Sequence, residues 1–247
     1  IDAVCHWIDN NGRSLLGHEM GTGKTISAIL SINAIKAKRV VIFTPASVMM
    51  QWEKEIKRLL PEYTLYIYPN IKGVGDDGRE ILLVSYARAE PYKKSQSKAT
   101  WKAEYIICDE CHYIKNPKAQ RTKNLVKLAI NTKFRRILTG FPVTQSPLDL
   151  YSQAEFLSPQ LLGHASYYTF QNRYAQLINR NLGHRTFRQV VGYQNIEELT
   201  AKVGEFSYRV LKKACLDLPD KVYKRREVEL TPEQKKVYKE IKDYAIA

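Results

Sequence analysis

The chain contains 247 residues, of which 44% are apolar and 26% are charged, as in ordinary globular proteins with room for one large or two small cores. No apolar run approaches the roughly 20 residues of a membrane span, and four scattered cysteines are too few for a disulfide scaffold, so the composition excludes both of these classes. The net charge of +14 favours a polyanionic partner.

Short β-rich apolar runs alternate with helical patterns through the first 158 residues. This alternation predicts an α/β fold with a mainly parallel sheet that is covered by helices on both faces. The predicted strands are residues 14–16, 40–44, 64–68, 81–85, 105–109 and 136–139. The predicted helices are residues 25–37, 47–60 with Ser47 as the N-cap, 117–129 and 148–156.

A glycine-rich loop, residues 17–25, precedes the first predicted helix, and we refer to it as the phosphate loop. Its glycines allow several amide N–H groups to point inward, the helix N-terminus adds positive potential, and Lys24 adds a full charge. Thr25 is placed to ligate Mg²⁺. His18 departs from the strict pattern, which has Gly there. Nucleotide binding is predicted for Glu19, Met20, Gly21, Thr22, Gly23, Lys24 and Thr25.

An acid pair, Asp109 and Glu110, follows the apolar strand that begins at Tyr105. Asp109 is predicted to hold the metal from the side opposite Thr25, and Glu110 to orient or deprotonate an attacking water. With Lys24, these acids make up the predicted catalytic set of a nucleotide-hydrolysing site. The alternative, an ordinary Gly-Thr-Gly turn and a solvated strand end, is less consistent with the surrounding strand and helix pattern.

The acid pair also lies within a Cys108-x-x-Cys111-His112 pattern, which matches c-type haem attachment and, in its first four residues, a redox motif. The apolar strand that enters Cys108 and the two acids inside the pattern favour a metal-nucleotide site instead. Both thiols are therefore predicted to be small packing residues.

Most of the positive charge lies between residues 111 and 196, which we call the basic block. Asp149 and Glu155 are its only acids. Its basic residues are Lys115, Lys118, Arg121, Lys123, Lys127, Lys133, Arg135, Arg136, Arg173, Arg180, Arg185 and Arg188. The resulting net charge of +10 predicts a nucleic-acid track, with a merely solvated basic surface as the alternative.

Beyond residue 158 the pattern changes. Aromatic residues at helical spacings, among them Tyr168, Phe170 and Tyr174, predict a small helical elaboration over residues 159–220, and we expect these rings to pack in a core rather than stack on bases. Residues 222–230 alternate as in a strand. Thr231 then caps a final helix. The predicted divisions are residues 1–158, 159–220 and 221–247.

Taken in order, the motifs resemble the first RecA-like lobe of the Swi/Snf-type, helicase-like DNA-dependent ATPases of superfamily two, and are closest to compact bacterial or bacteriophage members. The resemblance spans nearly the whole chain. Its motifs are the phosphate loop, Thr44-Pro45-Ala46-Ser47 with Trp52 and Glu55, Ser85-Tyr86, Asp109-Glu110-Cys111-His112 with Ile114-Lys115-Asn116, Leu138-Thr139-Gly140-Phe141-Pro142, and Leu230-Thr231-Pro232-Glu233-Gln234.

The resemblance implies a RecA-like P-loop domain that uses ATP and Mg²⁺ and moves along double-stranded DNA. It implies DNA contacts at Pro45, Ser47, Lys115, Asn116, Lys118 and Arg121 and coupling at Thr139 and Gly140, which would touch the sugar-phosphate backbone. Alternatives are a strand-separating or RNA-directed helicase and an idle nucleic-acid clamp. Departures from the family pattern occur at His18, Cys111 and Phe141.

The resemblance further implies that parts of the site lie outside this sequence. The adenine-reading motif would precede Ile1, and a second RecA-like lobe with γ-phosphate arginines would follow Ala247. Because the chain lacks an initial Met and a signal segment, we expect a piece of a longer intracellular protein, cytoplasmic in a bacterial or phage-infected cell.

Overall fold

The computed structural model describes residues 1–71, 78–96, 102–140, 143, 145–183, 185–215 and 224–246. The chain divides into two units, Ile1–Cys215 and Leu216–Ala247. The helices are α1 (Asp2–Asp9), α2 (Lys24–Ile35), α3 (Met49–Leu59), α4 (Ala89–Gln96), α5 (Gln120–Ile130), α6 (Leu150–Leu157), α7 (Tyr167–Tyr174), α8 (Ile196–Phe206), α9 (Lys212–Cys215) and α10 (Pro232–Ile246).

The strands are β1 (Arg13–Leu16), β2 (Arg39–Thr44), β3 (Thr64–Ile67), β4 (Glu80–Ser85), β5 (Tyr105–Cys108), β6 (Phe134–Leu138), β7 (Ala175–Leu182), β8 (Arg185–Tyr193) and β9 (Ser207–Tyr208). Seven of them form one sheet in the order β3-β4-β2-β5-β6-β1-β9. Every described pairing in this sheet is parallel. The predicted α/β fold with a mainly parallel sheet is therefore confirmed.

The sheet is buried on both faces because alternate residues of each strand enter two separate cores. In β2, Val41 and Phe43 belong to one core, while Val40 and Ile42 belong to the other. The second core also contains Trp52, which is almost fully buried. Continuous apolar strands are what a sheet covered by helices on both sides requires.

The carboxyl ends of parallel strands meet at one edge of a sheet, and this edge carries the predicted site. The phosphate loop follows β1, Thr44 ends β2, Asp109 follows β5, and Thr139 follows β6. The order β2-β5-β6-β1 makes these four strand ends neighbours.

Three predicted helix starts are wrong. Ser47 was predicted as an N-cap, but it lies inside a 3₁₀ turn, Ala46–Val48, and α3 begins only at Met49 without a side-chain cap. The helix predicted from Pro117 begins at Gln120 as α5, and the helix predicted from Leu148 begins at Leu150 as α6, after a 3₁₀ turn over Pro147–Asp149. In each place the chain makes an additional turn before the helix.

Residues 159–220 are less helical than predicted. They contain α7 and α8, but between them β7 and β8 form an antiparallel hairpin with its own register, from Ala175 opposite Tyr193 to Leu182 opposite Arg185. Phe170 and Tyr174 are fully buried as expected. The prediction of core packing is wrong for Tyr168, whose side chain is 60% exposed.

In the second unit, the strand predicted over residues 222–230 is absent from the part the structure describes, residues 224–230. The capped helix is confirmed as α10. The amide of Gln234 donates to Thr231 Oγ1 at 3.3 Å, and the amide of Thr231 donates to Gln234 Oε1 at 3.0 Å. This reciprocal pair is a capping box. Among the described helices, none combines the length and apolar character that a membrane crossing requires.

Candidate nucleotide-binding site

The phosphate loop wraps around the N-terminus of α2. Gly21 and Gly23 have φ angles of +81° and +84°, a backbone region that side chains with a Cβ rarely adopt, so both glycines are needed for this turn. The first turn of α2 carries no acidic residue. Its unpaired amides and the helix dipole therefore offer an anion-binding end, with Lys24 and Thr25 as the first two helical residues.

Lys24 is held across the loop by backbone carbonyls. Its Nζ donates to the carbonyl oxygens of His18 at 3.1 Å and Glu19 at 3.3 Å. Gly140 closes the same side, because a Cβ there would lie 3.2 Å from Met20 Cγ and 3.7 Å from Lys24 Nζ. The coupling motif after β6 therefore contacts the phosphate loop directly, and a side chain at Gly140 would push against it.

Asp109 lies at the end of β5 with its carboxylate almost fully buried. Its Oδ2 accepts hydrogen bonds from Trp52 Nε1 at 2.8 Å and Thr44 Oγ1 at 3.2 Å, and its Oδ1 accepts from the Glu110 amide at 3.0 Å. Burial raises the pKa of the Asp109 carboxyl, while the Trp52 and Thr44 donors lower it. The carboxylate is thus fixed in orientation before any ligand binds.

Glu110 adopts a left-handed backbone conformation, with φ of +48°. Its carboxylate is half-buried and lies 3.3 Å from His112 Nδ1. A left-handed residue turns the chain sharply after β5, so the carboxylates of Asp109 and Glu110 have different neighbours: Trp52 and Thr44 for Asp109, and His112 for Glu110. Backbone strain at a non-glycine residue is often found at functional sites.

A cleft of about 360 Å³ brings these groups together. It is lined by Met20, Gly21, Gly23, Lys24, Thr25, Ile26, Val48, Gln51, Trp52, Glu55, Asp109 and Glu110. The structure therefore places most of the predicted nucleotide residues and both acids on one cleft. The lining combines the loop residues predicted to bind phosphate with the carboxylates of Glu55, Asp109 and Glu110.

Glu19 braces the loop rather than lining the cleft. Its amide donates to the Val210 carbonyl at 3.0 Å, and its Oε2 accepts from the Lys212 amide at 2.5 Å. A Cβ at Gly21 would lie 3.7 Å from Lys212 Cε, so the Lys212 side chain stands beside the loop. Lys212 was not predicted, since no motif marks it and it lies 193 residues from Glu19.

His18 and the two cysteines of the Cys-x-x-Cys-His pattern are buried. Desolvation lowers the pKa of His18 to about 4, so its ring is neutral near pH 7. Cys108 and Cys111 are inaccessible free thiols, and Cys111 Sγ donates to Gln153 Oε1 at 2.8 Å. Burial raises the pKa of both thiols. This confirms that they are packing residues and rules out attachment of a haem.

A ring stack connects the acids to the basic block. The buried Tyr86 donates its hydroxyl to the Asp109 carbonyl at 2.6 Å, and its ring lies parallel to that of Tyr113 with centroids 4.9 Å apart. The Arg121 guanidinium lies over Tyr113 at 5.3 Å and over Tyr86 at 5.8 Å. Arg121, a residue predicted to contact DNA, is therefore linked through Tyr86 to the backbone of Asp109.

The other predicted DNA residues are not equally available. Ser47, Asn116 and Lys118 are exposed, and Pro45 is half-buried. Lys115 is engaged, because its Nζ donates to Gln145 Oε1 at 2.7 Å and lies 3.8 Å from Asp149 Oδ2.

Thr139 and Gly140 are buried, which does not favour contact with a sugar-phosphate backbone, and that expectation stays a prediction. Gly140 contacts the phosphate loop. Phe141 and Pro142 lie outside the described residues, so the departure at Phe141 has no structural account. Clusters of three or more His, Cys, Asp or Glu side chains able to bind a metal are absent from the described part of the chain.

Comparison with known proteins gives one family. A family model for the SNF2-related domain matches residues 4–247. The mouse DNA annealing helicase and endonuclease ZRANB3 is 28% identical over 94% of this chain and 22% of its own length. The SWI/SNF-related matrix-associated actin-dependent regulator of chromatin subfamily A containing DEAD/H box 1 homolog of Drosophila melanogaster is 30% identical over 98% of this chain and 30% of its own length.

Two solved structures are similar over almost the whole chain. The Sulfolobus solfataricus SWI2/SNF2 ATPase core in complex with dsDNA has a TM-score of 0.68 and 29% identity, with 95% of this chain and 48% of that chain covered. The Sulfolobus solfataricus SWI2/SNF2 ATPase core domain has a TM-score of 0.64 and 28% identity, with 97% of this chain and 48% of that chain covered. This chain thus spans about half of those structures and less than a third of the curated relatives above.

Proposed function

This chain belongs to the SNF2-related domain family, and on that premise we propose that it is the first RecA-like lobe of an ATP-driven motor that acts on double-stranded DNA. The predicted RecA-like fold is confirmed by the likeness to the SWI2/SNF2 ATPase cores. The observation that carries the proposal is the cleft where Lys24 and Thr25 face Asp109 and Glu110. Family membership supports ATP as the nucleotide.

The residues present fit a magnesium ion. Asp109 is a buried carboxylate whose pKa is raised by desolvation, and Thr25 offers a hydroxyl at the start of α2 across the same cleft. Oxygen ligands of this kind are those that Mg²⁺ prefers. We propose that Thr25 and Asp109 hold Mg²⁺, which when bound neutralises charge on the β- and γ-phosphates.

The chain's own groups have separate tasks in this proposal. Lys24 and the α2 amides bind the phosphates, and the Glu110 carboxylate orients or deprotonates the attacking water. Trp52 and Thr44 fix the Asp109 carboxylate through two hydrogen bonds, so it does not reorient during turnover.

A second RecA-like lobe completes the site in the proposal. Among the described residues that line the cleft, Lys24 is the one cation. An arginine supplied from an opposing surface contributes roughly 10³- to 10⁵-fold to phosphoryl transfer. We therefore expect this chain alone to bind nucleotide weakly and to hydrolyse it slowly, whereas closure of two lobes over DNA would accelerate turnover.

Double-stranded DNA is proposed as the polymer because of the charge of the basic block and the exposed positions of Ser47, Asn116 and Lys118. In support, a similar solved structure is an ATPase core in complex with dsDNA, and the two relatives above are a DNA annealing helicase and endonuclease and a regulator of chromatin. Contacts to the sugar-phosphate backbone of DNA fix the position of a protein on the duplex without recognising the base sequence. An intracellular location is part of the same proposal.

The test is ATP hydrolysis by a polypeptide that carries this chain together with a second RecA-like lobe, with this chain alone as the control. Duplex DNA, single-stranded DNA and RNA are added in turn. We expect the largest stimulation with duplex DNA and little hydrolysis by the chain alone. Equal stimulation by RNA would favour an RNA-directed helicase, and no stimulation by any polymer would overturn the proposal.

A further inference from the structure

A second, larger cavity lies away from the nucleotide cleft, and we call it the side groove. It has a volume of about 810 Å³ and shares no lining residue with the nucleotide cleft. Its lining comes from the loop before α5, the first turns of α7, and β8 of the hairpin. The lining residues are Asn116, Pro117, Lys118, Tyr167, Tyr168, Gln171, Phe187 and Arg188.

The chemistry of the side groove suits an anionic, aromatic ligand. Its described lining contains two cations, Lys118 and Arg188, and no carboxylate. Arg188 Nη1 makes a long contact of 3.4 Å with the neutral Asn172 Oδ1. Burial and the nearby Asp149 charge raise the pKa of Tyr167, but the Asp149 carboxylate lies 3.8 Å from Lys115 Nζ, which opposes its charge. Phosphate groups would meet net positive charge here.

Two aromatic side chains at the groove are unusually exposed. Tyr168 is 60% exposed and Phe187 is 44% exposed, whereas Phe170 and Tyr174 of the same region are fully buried. Exposed aromatic rings beside cations and amide side chains are what proteins use to stack unpaired bases while they hold the backbone. In a duplex the bases are already stacked and paired, so a groove of this kind favours an unpaired strand.

The walls of the groove are held in place without a ligand. At the base of α7, Glu198 accepts hydrogen bonds from Arg173 at 2.5 Å and from the Tyr174 hydroxyl at 2.8 Å. On the hairpin, Leu177 and Val190 are paired across the strands and pack against the main core. Binding would therefore cost little ordering of these elements.

We propose that the side groove binds a short single-stranded nucleic-acid segment that branches from the duplex, with its phosphates on Lys118 and Arg188 and its bases against Tyr168 and Phe187. This rests on the proposed function, because Lys118, which lines the groove, is also one of the predicted duplex contacts.

The experiment measures binding of the 247-residue chain to a blunt duplex and to the same duplex with a single-stranded thymidine arm. We expect the arm to increase affinity by about tenfold, since stacking on aromatic side chains has effects of this order. Tyr168→Ala combined with Phe187→Ala should abolish that preference and leave blunt-duplex affinity unchanged. Phe187→Tyr, which keeps the ring, should retain it.

A matched control is Tyr193→Ala at the end of β8, because this ring is 39% exposed but is not among the residues that line the groove. The control should keep the preference for the arm, and thermal unfolding checks that every variant is folded. Equal affinity of the unmodified chain for both duplexes, or an arm preference that survives the double substitution, would overturn the groove assignment. ATP hydrolysis by the two-lobe protein with duplex DNA is measured in a separate assay. The proposed function is therefore tested independently of the groove assignment.

Discussion

Removal of one hydroxyl, in Tyr86→Phe, tests how the metal-site strand is positioned. The Tyr86 hydroxyl is buried and donates to the Asp109 carbonyl at 2.6 Å. The substitution removes this hydrogen bond and leaves a buried acceptor unsatisfied, which costs about 1 to 3 kcal/mol of unfolding free energy. The ring stack with Tyr113 needs no hydroxyl and is retained.

Tyr63→Phe is the matched control. Tyr63 is also a buried tyrosine, and its hydroxyl also donates to a backbone carbonyl, that of Ala37, at 2.9 Å. Both variants should lose similar stability in denaturant unfolding. Tyr86→Phe alone should also weaken binding of magnesium-ATP, by about tenfold, as is typical when a supporting partner of a metal ligand is removed. Equal nucleotide affinity in the two variants would refute the positioning role of Tyr86.

Three further predictions concern the phosphate loop, the basic block and pH. Lys24→Ala should abolish detectable magnesium-ATP binding. Circular dichroism should show a retained fold, because the Lys24 Nζ hydrogen-bonds to two carbonyls of the phosphate loop. Unchanged affinity for magnesium-ATP would contradict the role of Lys24. Lys118→Glu with Arg121→Glu should weaken duplex binding and lower the salt slope by about one per lost contact, and an unchanged slope would exclude this surface. The pKa of His18 is lowered to about 4, so the unfolded chain takes up a proton first as pH falls, and folding stability should decrease between about pH 6.5 and pH 4. His18→Gln should make the pH dependence of denaturant unfolding shallower in that window, and an identical profile would show that His18 is not neutral in the fold.

The sheet could be predicted from sequence because its strands are short, continuous apolar runs. A strand with consecutive apolar residues, such as Val40, Val41, Ile42 and Phe43, must be buried on both faces of the sheet. The hairpin of β7 and β8 lacked that signal. Its strands are rich in Asn, Arg and Gln, and the aromatic spacing before it resembles a helix. The helical pattern correctly predicts α7, but the predicted helical region was wrong in continuing beyond Tyr174, where β7 begins.

The phosphate loop and the acid pair could also be predicted from sequence, because the glycines, Lys24 and the acids have chemical requirements that fix their spacing. The contacts that support these residues could not be predicted. Trp52 donates to Asp109 across 57 residues of sequence, and Lys212 reaches the phosphate loop across 193. Such contacts depend on the order of strands in the sheet, which a single sequence does not specify. The burial of Thr139 and the engagement of Lys115 were missed for the same reason.

We propose that Glu110 orients or deprotonates the attacking water in a site whose ATP hydrolysis depends on DNA. This proposal is tested most directly by ATP turnover of the two-lobe protein on duplex DNA, for the unmodified sequence and for Glu110→Gln, with magnesium-ATP binding measured in parallel. We predict strong turnover that depends on DNA, lost in Glu110→Gln while nucleotide binding and folding remain. Turnover that is unaffected by Glu110→Gln, or that proceeds equally without DNA, would contradict the claim.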